Sequence, residues 1–336
     1  MLSIFDRVIL IILMTALLWG NVMDGPFQIE WFVYGQTFAY CLAVILGFGL
    51  VLYRAGKVRF KFDRAFMVAI LKKSFPYALL VFLMAVYFRT DSVMLERMHP
   101  KGAFEAGIYA MGYRFFEAAN MIAFLFGGML LPIFSRMIRQ KENVQPIVSL
   151  SFKILLSGAI ILAACCYCLP EEILSLRYIR HVGLAGPVFA ILMVGFVFVC
   201  CTYIFGTLLT ASGNLKRLNQ FAIGAVLLNI GLNVALIPEY GAFGCAFASC
   251  LTLALVAILQ MFEAQRHFRF RITKGFRKTL LIFLVGMGAL ILSATFLDLN
   301  WKVELLGIGI LGLGIAMATG MLHMGRFIDL IANRKD

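Results

Sequence analysis

Two arginines and two carboxylates lie inside segments that are otherwise apolar. Arg89 and Asp91 occur in one such segment, and Arg114 and Glu117 occur in the next. A charge at the centre of a membrane helix costs about 2.5–3.5 kcal/mol, so four unpaired charges would cost roughly 10–14 kcal/mol. Charges in such positions therefore pair, face water, or do both. Because the planar guanidinium group binds phosphate oxygens bidentately, two arginines beside water would attract a phosphate or diphosphate group.

The spacing of these residues divides them between helix faces. Arg114 and Glu117 are three residues apart and share a face with Asn120. Arg89 and Asp91 are about 200° apart around a helix, so one is expected to face an aqueous path and the other a neighbouring helix. A rise of about 1.5 Å per residue places both arginines about 12 Å below the outer ends of their helices. A structural ion-pair network between the two helices is the alternative interpretation.

Two asparagines form a second polar set in a later apolar segment. Asn229 and Asn233 are four residues apart and share a helix face. They precede a tight helix–turn–helix around Pro238 and Gly241 on the outer side. An asparagine in a membrane helix often bonds a neighbouring helix, with about 0.6 kcal/mol of stabilisation. Lining of a ligand cavity is the other interpretation.

Ten apolar segments must position these polar groups. The mean hydropathy of +0.94 is far above that of soluble domains, and segments of about 20 apolar residues cross a bilayer as helices. Since backbone polar groups in lipid must be satisfied internally, repeated segments of this kind predict an all-α polytopic transmembrane bundle. The predicted spans are 4–23, 31–53, 75–97, 106–131, 148–169, 187–210, 218–237, 241–262, 279–297 and 303–323.

The net charge of +13 follows membrane topology. Lysines and arginines concentrate in every second loop and in the C-terminal tail, whereas the intervening loops carry mainly acidic residues. Because basic residues near helix ends stay on the cytoplasmic side, both termini are predicted to be cytoplasmic. The same bias accounts for the charge without nucleic-acid binding, so no nucleic-acid partner is expected.

All eight cysteines fall inside apolar spans, where thiols behave as small hydrophobic groups. Cys165 and Cys168 have C-x-x-C spacing, but no second Cys or His cluster completes a zinc site. No metal and no cofactor are therefore expected.

Several short patterns resemble the polysaccharide transporter family, which includes O-antigen flippases. Its superfamily also holds multidrug and toxin extrusion proteins and the peptidoglycan lipid flippase. The resemblance covers about residues 60–265. The matching patterns are Ser74-Phe75-Pro76, Tyr87-x-Arg89-x-Asp91-x-x-Met94-Leu95, Gly107-Ile108-Tyr109-x-x-Gly112-Tyr113-Arg114, Leu131-Pro132-x-x-Ser135-Arg136 and Asn229-x-x-x-Asn233-x-x-x-Ile237-Pro238-x-Tyr240-Gly241-x-x-Gly244.

The resemblance implies two six-helix lobes that face each other across a central cavity. Residues 1–53 then correspond to the last two helices of a first lobe, 75–263 to a complete second lobe, and 278–324 to an additional C-terminal helix pair. About four helices of the family plan would precede Met1. A truncated product, a misplaced start, or half of a split protein would each account for this difference.

The function expected from these features is translocation of a polyprenyl-diphosphate-linked oligosaccharide across the bacterial inner membrane by alternating access. Arg89 and Arg114, with Asn229 and Asn233, are the predicted substrate-binding residues. Asp91 and Glu117 are predicted to orient them or to carry a coupling H⁺ or Na⁺. The expected partners are the lipid-linked glycan and membrane lipids, and no enzymatic activity is expected.

Two alternatives are a multidrug exporter of the same superfamily and, in another functional class, an enzyme. A cation-coupled multidrug exporter would favour acidic residues in its cavity, whereas arginines are at least as prominent here. A membrane-embedded enzyme of glycan assembly would need an acid–base group or a nucleophile near the outer surface. His99 and His181 are predicted to lie there, but neither has a convincing catalytic triad and the loops are short.

Overall fold

The computed structural model describes residues 2–19, 29–55, 63–269, 274–294, 296 and 300–322, and helices account for most of them. The helices are α1 (Leu2–Trp19), α2 (Ile29–Ala55), α3 (Arg64–Met98), α4 (Gly102–Arg139), α5 (Gln145–Cys168), α6 (Pro170–Ser175), α7 (Val182–Ala211), α8 (Leu215–Phe268), α9 (Lys274–Ala294) and α10 (Trp301–Ala318). Within the described residues, eight helices are long and apolar enough to cross a membrane. The prediction of an all-α polytopic membrane bundle is confirmed.

The chain divides into two compact units, residues 1–70 and 71–336. In the first unit, α1 packs against α2. Gly35 of α2 lies directly against Leu13 and Met14 of α1, at a distance that leaves no room for a β-carbon. A small residue at this point therefore lets the two helices approach closely.

Helix α7 is the centre of the second unit and packs against α4, α5 and α8. Its contact with α4 depends on Gly112, because a β-carbon there would lie 2.9 Å from the α-carbon of Phe189. Phe189 is fully buried in this seam. Close approach of two backbones at a small residue is a common way for membrane helices to pack, since lipid supplies no hydrophobic driving force between them.

Helix α8 is a hairpin of two helical halves. The break lies at Gly241, with φ +52° and ψ −131°, which are not helical angles. Hydrogen bonds join Asn214 to Glu263 (3.2 Å) and Asn229 to Ser249 (3.4 Å), so the two halves run antiparallel. Glu105 of α4 accepts a hydrogen bond from the backbone N–H of Ala242 (2.9 Å), at the start of the second half. The helix–turn–helix predicted around Pro238 and Gly241 is therefore present.

Helix α3 begins earlier than predicted, at Arg64 instead of residue 75. Asp63 caps its first turn by accepting hydrogen bonds from the backbone N–H groups of Ala65 (2.9 Å) and Phe66 (3.1 Å). The charges of Lys72 and Lys73 made this segment look extramembrane, although charge does not prevent helix formation. The short helix α6 was also outside the predicted spans.

Candidate functional site

Asp91 lies in the interior of the second unit, with 2% of its surface exposed. Tyr109 of α4 donates a hydrogen bond from its hydroxyl to Asp91 Oδ2 (3.0 Å), and Asn233 of α8 donates from Nδ2 to Oδ1 (2.8 Å). The hydroxyl of Ser249, on the second half of α8, also donates to Oδ2. We call Asp91, Tyr109, Asn229, Asn233 and Ser249 the Asp91 cluster.

Asn229 joins this cluster through the other polar side chains. Its Nδ2 donates to Ser249 Oγ (3.4 Å), and its Oδ1 accepts from Asn233 Nδ2 (3.2 Å). Asn229 and Asn233 are both buried, and Oδ1 of Asn233 has no hydrogen-bond partner among the described residues. A fully buried amide oxygen without a partner is an unused acceptor beside a carboxylate.

The hairpin geometry of α8 is what assembles the cluster. Asn229 and Asn233 lie on one face of the first half, and Ser249 lies on the facing side of the second half. The turn at Gly241 brings the two faces together. Asp91 then enters from α3 and Tyr109 from α4, so three helices of one unit contribute the polar atoms.

Within the described residues, no basic side chain forms an ion pair with Asp91. The carboxyl group has only neutral hydrogen-bond donors around it. Buried charges in proteins are normally paired, bound to a cation, or neutralised by a proton. A carboxylate with an additional amide oxygen nearby is therefore a suitable place for a proton or a small cation.

Arg89 and Arg114 are placed differently, on the exposed surface of the same unit. The hydroxyl of Tyr113 donates to the carbonyl of Phe88 (3.4 Å), so the neighbouring arginines lie at the same level of α3 and α4. Arg114 Nη1 lies 3.8 Å from Glu117 Oε2, with the two side chains 74% and 40% exposed. We call Arg89, Arg114 and Glu117 the basic face.

The six predicted site residues thus separate into two groups. Asp91 lies with Asn229 and Asn233, whereas the arginines lie with Glu117. The structure does not bring the two asparagines to the arginines, with which they were grouped in the sequence. The Arg114–Glu117 ion pair lies within α4. Among the residues that the structure describes, no ion pair joins α3 to α4, in contrast to the alternative of an interhelix network.

Sequence reasoning did not assign a role to Tyr109 or Ser249. Tyr109 belongs to a pattern that carried the family resemblance, and its spacing from Arg114 gave no indication of a partner on α3. Ser249 lies 158 residues from Asp91 along the chain. Its position in a helix rich in small residues indicates only close packing.

The two histidines considered for an enzymatic function have local contacts. The Nδ1 atom of His99 accepts a hydrogen bond from the backbone N–H of Lys101 (3.2 Å). The ring of His181 packs edge-on against Phe104, with centroids 5.1 Å apart. These contacts place His99 in the turn between α3 and α4, and His181 just before α7.

The described helices thus form a multi-pass bundle with one buried and one exposed polar group. Residues 1–138 match the sequence model of a family described as "Polysaccharide biosynthesis protein". This range contains Arg89, Asp91 and Arg114, although the resemblance was expected over residues 60–265. No curated protein matches the chain significantly.

A solved structure provides the second comparison. The chain is similar to "Lipid II flippase MurJ, inward closed conformation", with a TM-score of 0.63 and 15% sequence identity. The similarity covers 97% of this chain and 67% of the flippase. It establishes a flippase-type fold, and with the sequence match it confirms the predicted resemblance to the polysaccharide transporter family.

Proposed function

We propose that the chain translocates a polyprenyl-diphosphate-linked oligosaccharide across the bacterial inner membrane by alternating access. The sequence match and the fold support transport of a lipid-linked saccharide. The observation that carries the proposal is the exposure of Arg89 and Arg114 at the same level of two helices that are long and apolar enough to cross a membrane. In this scheme the protein moves its substrate without changing a covalent bond.

The depth of the arginines makes their exposure informative. The contact between Phe88 and Tyr113 fixes the level of the two arginines. Phe88 lies ten residues before the end of α3, and Tyr113 lies eleven residues after the start of α4. At about 1.5 Å per residue this is roughly 15 Å below the α3–α4 turn. A guanidinium group facing hydrocarbon at that depth would be costly. The basic face therefore lines a water-accessible path.

A diphosphate group matches the basic face chemically. Two arginines can each bind phosphate oxygens with paired hydrogen bonds, and water keeps the interaction weak enough for release. Glu117 holds Arg114 when no anion is bound and limits the positive charge. The excess of arginine also disfavours cationic drugs as the main cargo.

The Asp91 cluster has the separate role of carrying the coupling ion, H⁺ or Na⁺. Its carboxyl group and the unpartnered Asn233 Oδ1 are the atoms proposed to hold that ion. Occupancy would change the hydrogen bonds that join α3 to α4 and α8, because Asp91 accepts bonds from both of those helices. Ion binding and the position of α3 are thus linked.

The proposed placement in the membrane follows the sequence-based scheme. Residues 1–53 correspond to the end of a first lobe, 75–263 to a second lobe and 278–324 to an additional helix pair. Both termini are cytoplasmic, and membrane lipids surround the bundle.

The test is complementation of a flippase-deficient strain by the protein. The double variant Arg89→Ala plus Arg114→Ala should lose surface glycan, while Arg139→Ala, an exposed arginine at the end of α4, should retain it. Membrane abundance of each variant is measured in parallel. Normal surface glycan in the double variant would remove the basic face from the mechanism.

A further inference from the structure

A cavity of about 210 Å³ lies inside the second unit, between α3, α7 and both halves of α8. Most of its wall is apolar. Its lining includes Leu80, Met84 and Tyr87 from α3, and Thr202 and Gln260 from α7 and α8. The cavity is separate from the exposed basic face.

The walls of the cavity continue directly into the Asp91 cluster. On each of three helical segments, the lining residues and a cluster residue follow one another at spacings of three or four, which is a single helix face. These series are Leu80, Met84, Tyr87 and Asp91 on α3, Leu218, Ala222, Ala225 and Asn229 on the first half of α8, and Gln260, Val256, Leu253 and Ser249 on the second half. The cavity and the cluster therefore lie on one axis.

The direction of the axis follows from the helix ends. Leu80 lies nearer the start of α3 than Asp91, and Leu218 lies near the start of α8. Gln260 lies near the end of α8 and Thr210 near the end of α7. The cavity thus extends from the Asp91 cluster toward the membrane surface at which α3 begins.

Contacts of α3 explain why this space exists. Asn219 donates from Nδ2 to the carbonyl of Pro76 (2.9 Å), and Tyr87 donates from its hydroxyl to the carbonyl of Ser249 (3.2 Å). Helix α3 is held to α8 at these two levels, and the cavity lies between them. Tyr87 lines the cavity, and Asp91 lies one turn further along the same face of α3.

Polar atoms without partners mark both ends of the axis. Gln260 is 7% exposed. In the part of the chain that the structure describes, Oε1 of Gln260 and Oγ1 of Thr202 are buried and have no hydrogen-bond partner. Oδ1 of Asn233 has none at the other end. Buried polar atoms are normally satisfied by protein or water. Water at Gln260 and Thr202 would satisfy these atoms. The apolar walls between the two ends of the axis would allow the path to close by loss of its water.

We propose that this cavity is the access path by which the coupling ion enters and leaves the Asp91 cluster, and that Tyr87 is its gate. The inference rests on the proposed ion-binding role of the cluster and adds the route and the gating residue. When the Tyr87 hydroxyl leaves the Ser249 carbonyl, the ring can turn away from the axis. Water in the cavity then reaches Asp91.

Cysteine labelling in membranes tests the route. Ala222→Cys and Ala225→Cys place thiols in the cavity, and Leu227→Cys, 66% exposed on the outer side of the same helix, is the matched lipid-facing control. A charged methanethiosulfonate reagent is applied on the side of the membrane where α3 begins. It should modify both cavity thiols and spare the control, because the thiolate that reacts requires water. Mass spectrometry resolves each site, with native cysteines as internal references.

Ion linkage is tested with the same thiols. Labelling of Ala225→Cys is measured with sodium chloride or choline chloride at fixed pH, and at several pH values in constant salt. The labelling rate with native Asp91 is divided by the rate with Asp91→Asn, since this ratio cancels the pH dependence of the thiol. The ratio should change several-fold with Na⁺ or with pH.

The gate is tested at a position beyond Tyr87. Ser249→Cys should react slowly in the native background and about fivefold faster with Tyr87→Phe, the population change that loss of one hydrogen bond produces. Tyr87→Ala, which also removes the ring, should accelerate it further. A Leu83→Ala chain, altered elsewhere in the lining, should leave the rate of Ser249→Cys near its native value.

Three results would overturn the proposal. Cavity thiols that react only with a lipid-soluble maleimide, as Leu227→Cys does, would show a hydrocarbon occupant. Labelling without any response to Na⁺ or pH would show water without ion linkage. An unchanged rate at Ser249→Cys in both Tyr87 variants would remove the gate. None of these readouts requires glycan transport, so failure of the basic-face proposal would be detected separately by complementation.

Discussion

Arg89 and Asp91 are two residues apart in one helix, yet they occupy opposite environments. Asp91 is buried among neutral hydrogen-bond donors from two other helices. Arg89 is exposed at the level of Arg114. The comparison shows that one membrane helix can hold a buried carboxyl group on one side and an exposed guanidinium group on the other.

The same contrast extends to their partners. The exposed Arg114–Glu117 pair is separated by 3.8 Å and is open to its surroundings, which is typical of a weak ion pair. The Asp91 contacts are shorter or fully enclosed, and their loss leaves donors without water. The buried cluster should therefore dominate stability, and the basic face should dominate ligand binding.

The largest effect is expected from Asp91→Leu. This change leaves donors of Tyr109, Asn233 and Ser249 without an acceptor, at about 1–3 kcal/mol for each one that remains unpaired. Some desolvation energy is recovered, so we expect a net loss of about 2 kcal/mol or more. Thermal unfolding of the detergent-solubilised protein measures it. Arg89→Leu is the control. Equal destabilisation by both changes would contradict the expectation that the Asp91 cluster, and not the basic face, dominates stability.

Gly241→Ala tests whether the α8 hairpin positions the cluster. Its φ of +52° with ψ −131° is unfavourable for a side chain, and the new β-carbon would lie 2.5 Å from Glu105 Oε2. We expect a loss of about 1–3 kcal/mol. Gly128→Ala, where a β-carbon meets nothing within 4 Å, should be nearly neutral in the same unfolding assay. Similar values for the two glycines would show that the hairpin break is not under conformational constraint.

Replacing the arginines by lysines sharpens the role of the basic face. Lysine keeps the charge but cannot bind two phosphate oxygens with a planar fork. The double variant Arg89→Lys plus Arg114→Lys should bind a polyprenyl-diphosphate lipid about tenfold more weakly, because the bidentate contacts of the arginines with the phosphate oxygens are lost. Lipid binding to the protein in nanodiscs measures this change, and the unfolding temperature should stay unchanged. Unaltered affinity would indicate that charge alone is recognised.

The smallest effect is expected from Glu117→Gln. Because its contact with Arg114 is long and exposed, the change in stability should be below about 0.5 kcal/mol. Binding of the diphosphate lipid should become slightly tighter, since Arg114 loses a competing carboxylate. The same two assays measure both quantities. A large destabilisation would place Glu117 in a structural network after all.

Much of the architecture was predictable from local patterns. The apolar segments indicated the helices, and the spacing of Arg89 and Asp91 indicated that they diverge. The assignment of the asparagines to substrate binding with the arginines stays a prediction. The contact of Asn233 with Asp91 could not be predicted, because helix spacing gives the face of a residue but not the neighbour of that face. The predicted span began at residue 75, whereas α3 begins at Arg64, because the charged residues between these positions resemble a loop.

The amino-acid sequence by itself determined which segments enter the membrane and which side chains share a helix face. Both follow from local physics: hydrocarbon excludes unsatisfied backbone, and a helix repeats every 3.6 residues. The tertiary structure alone decided that Asp91 meets Tyr109, Asn233 and Ser249, and that Tyr87 lines a cavity. These pairings join residues as much as 158 positions apart, and they depend on helix packing and on the turn at Gly241.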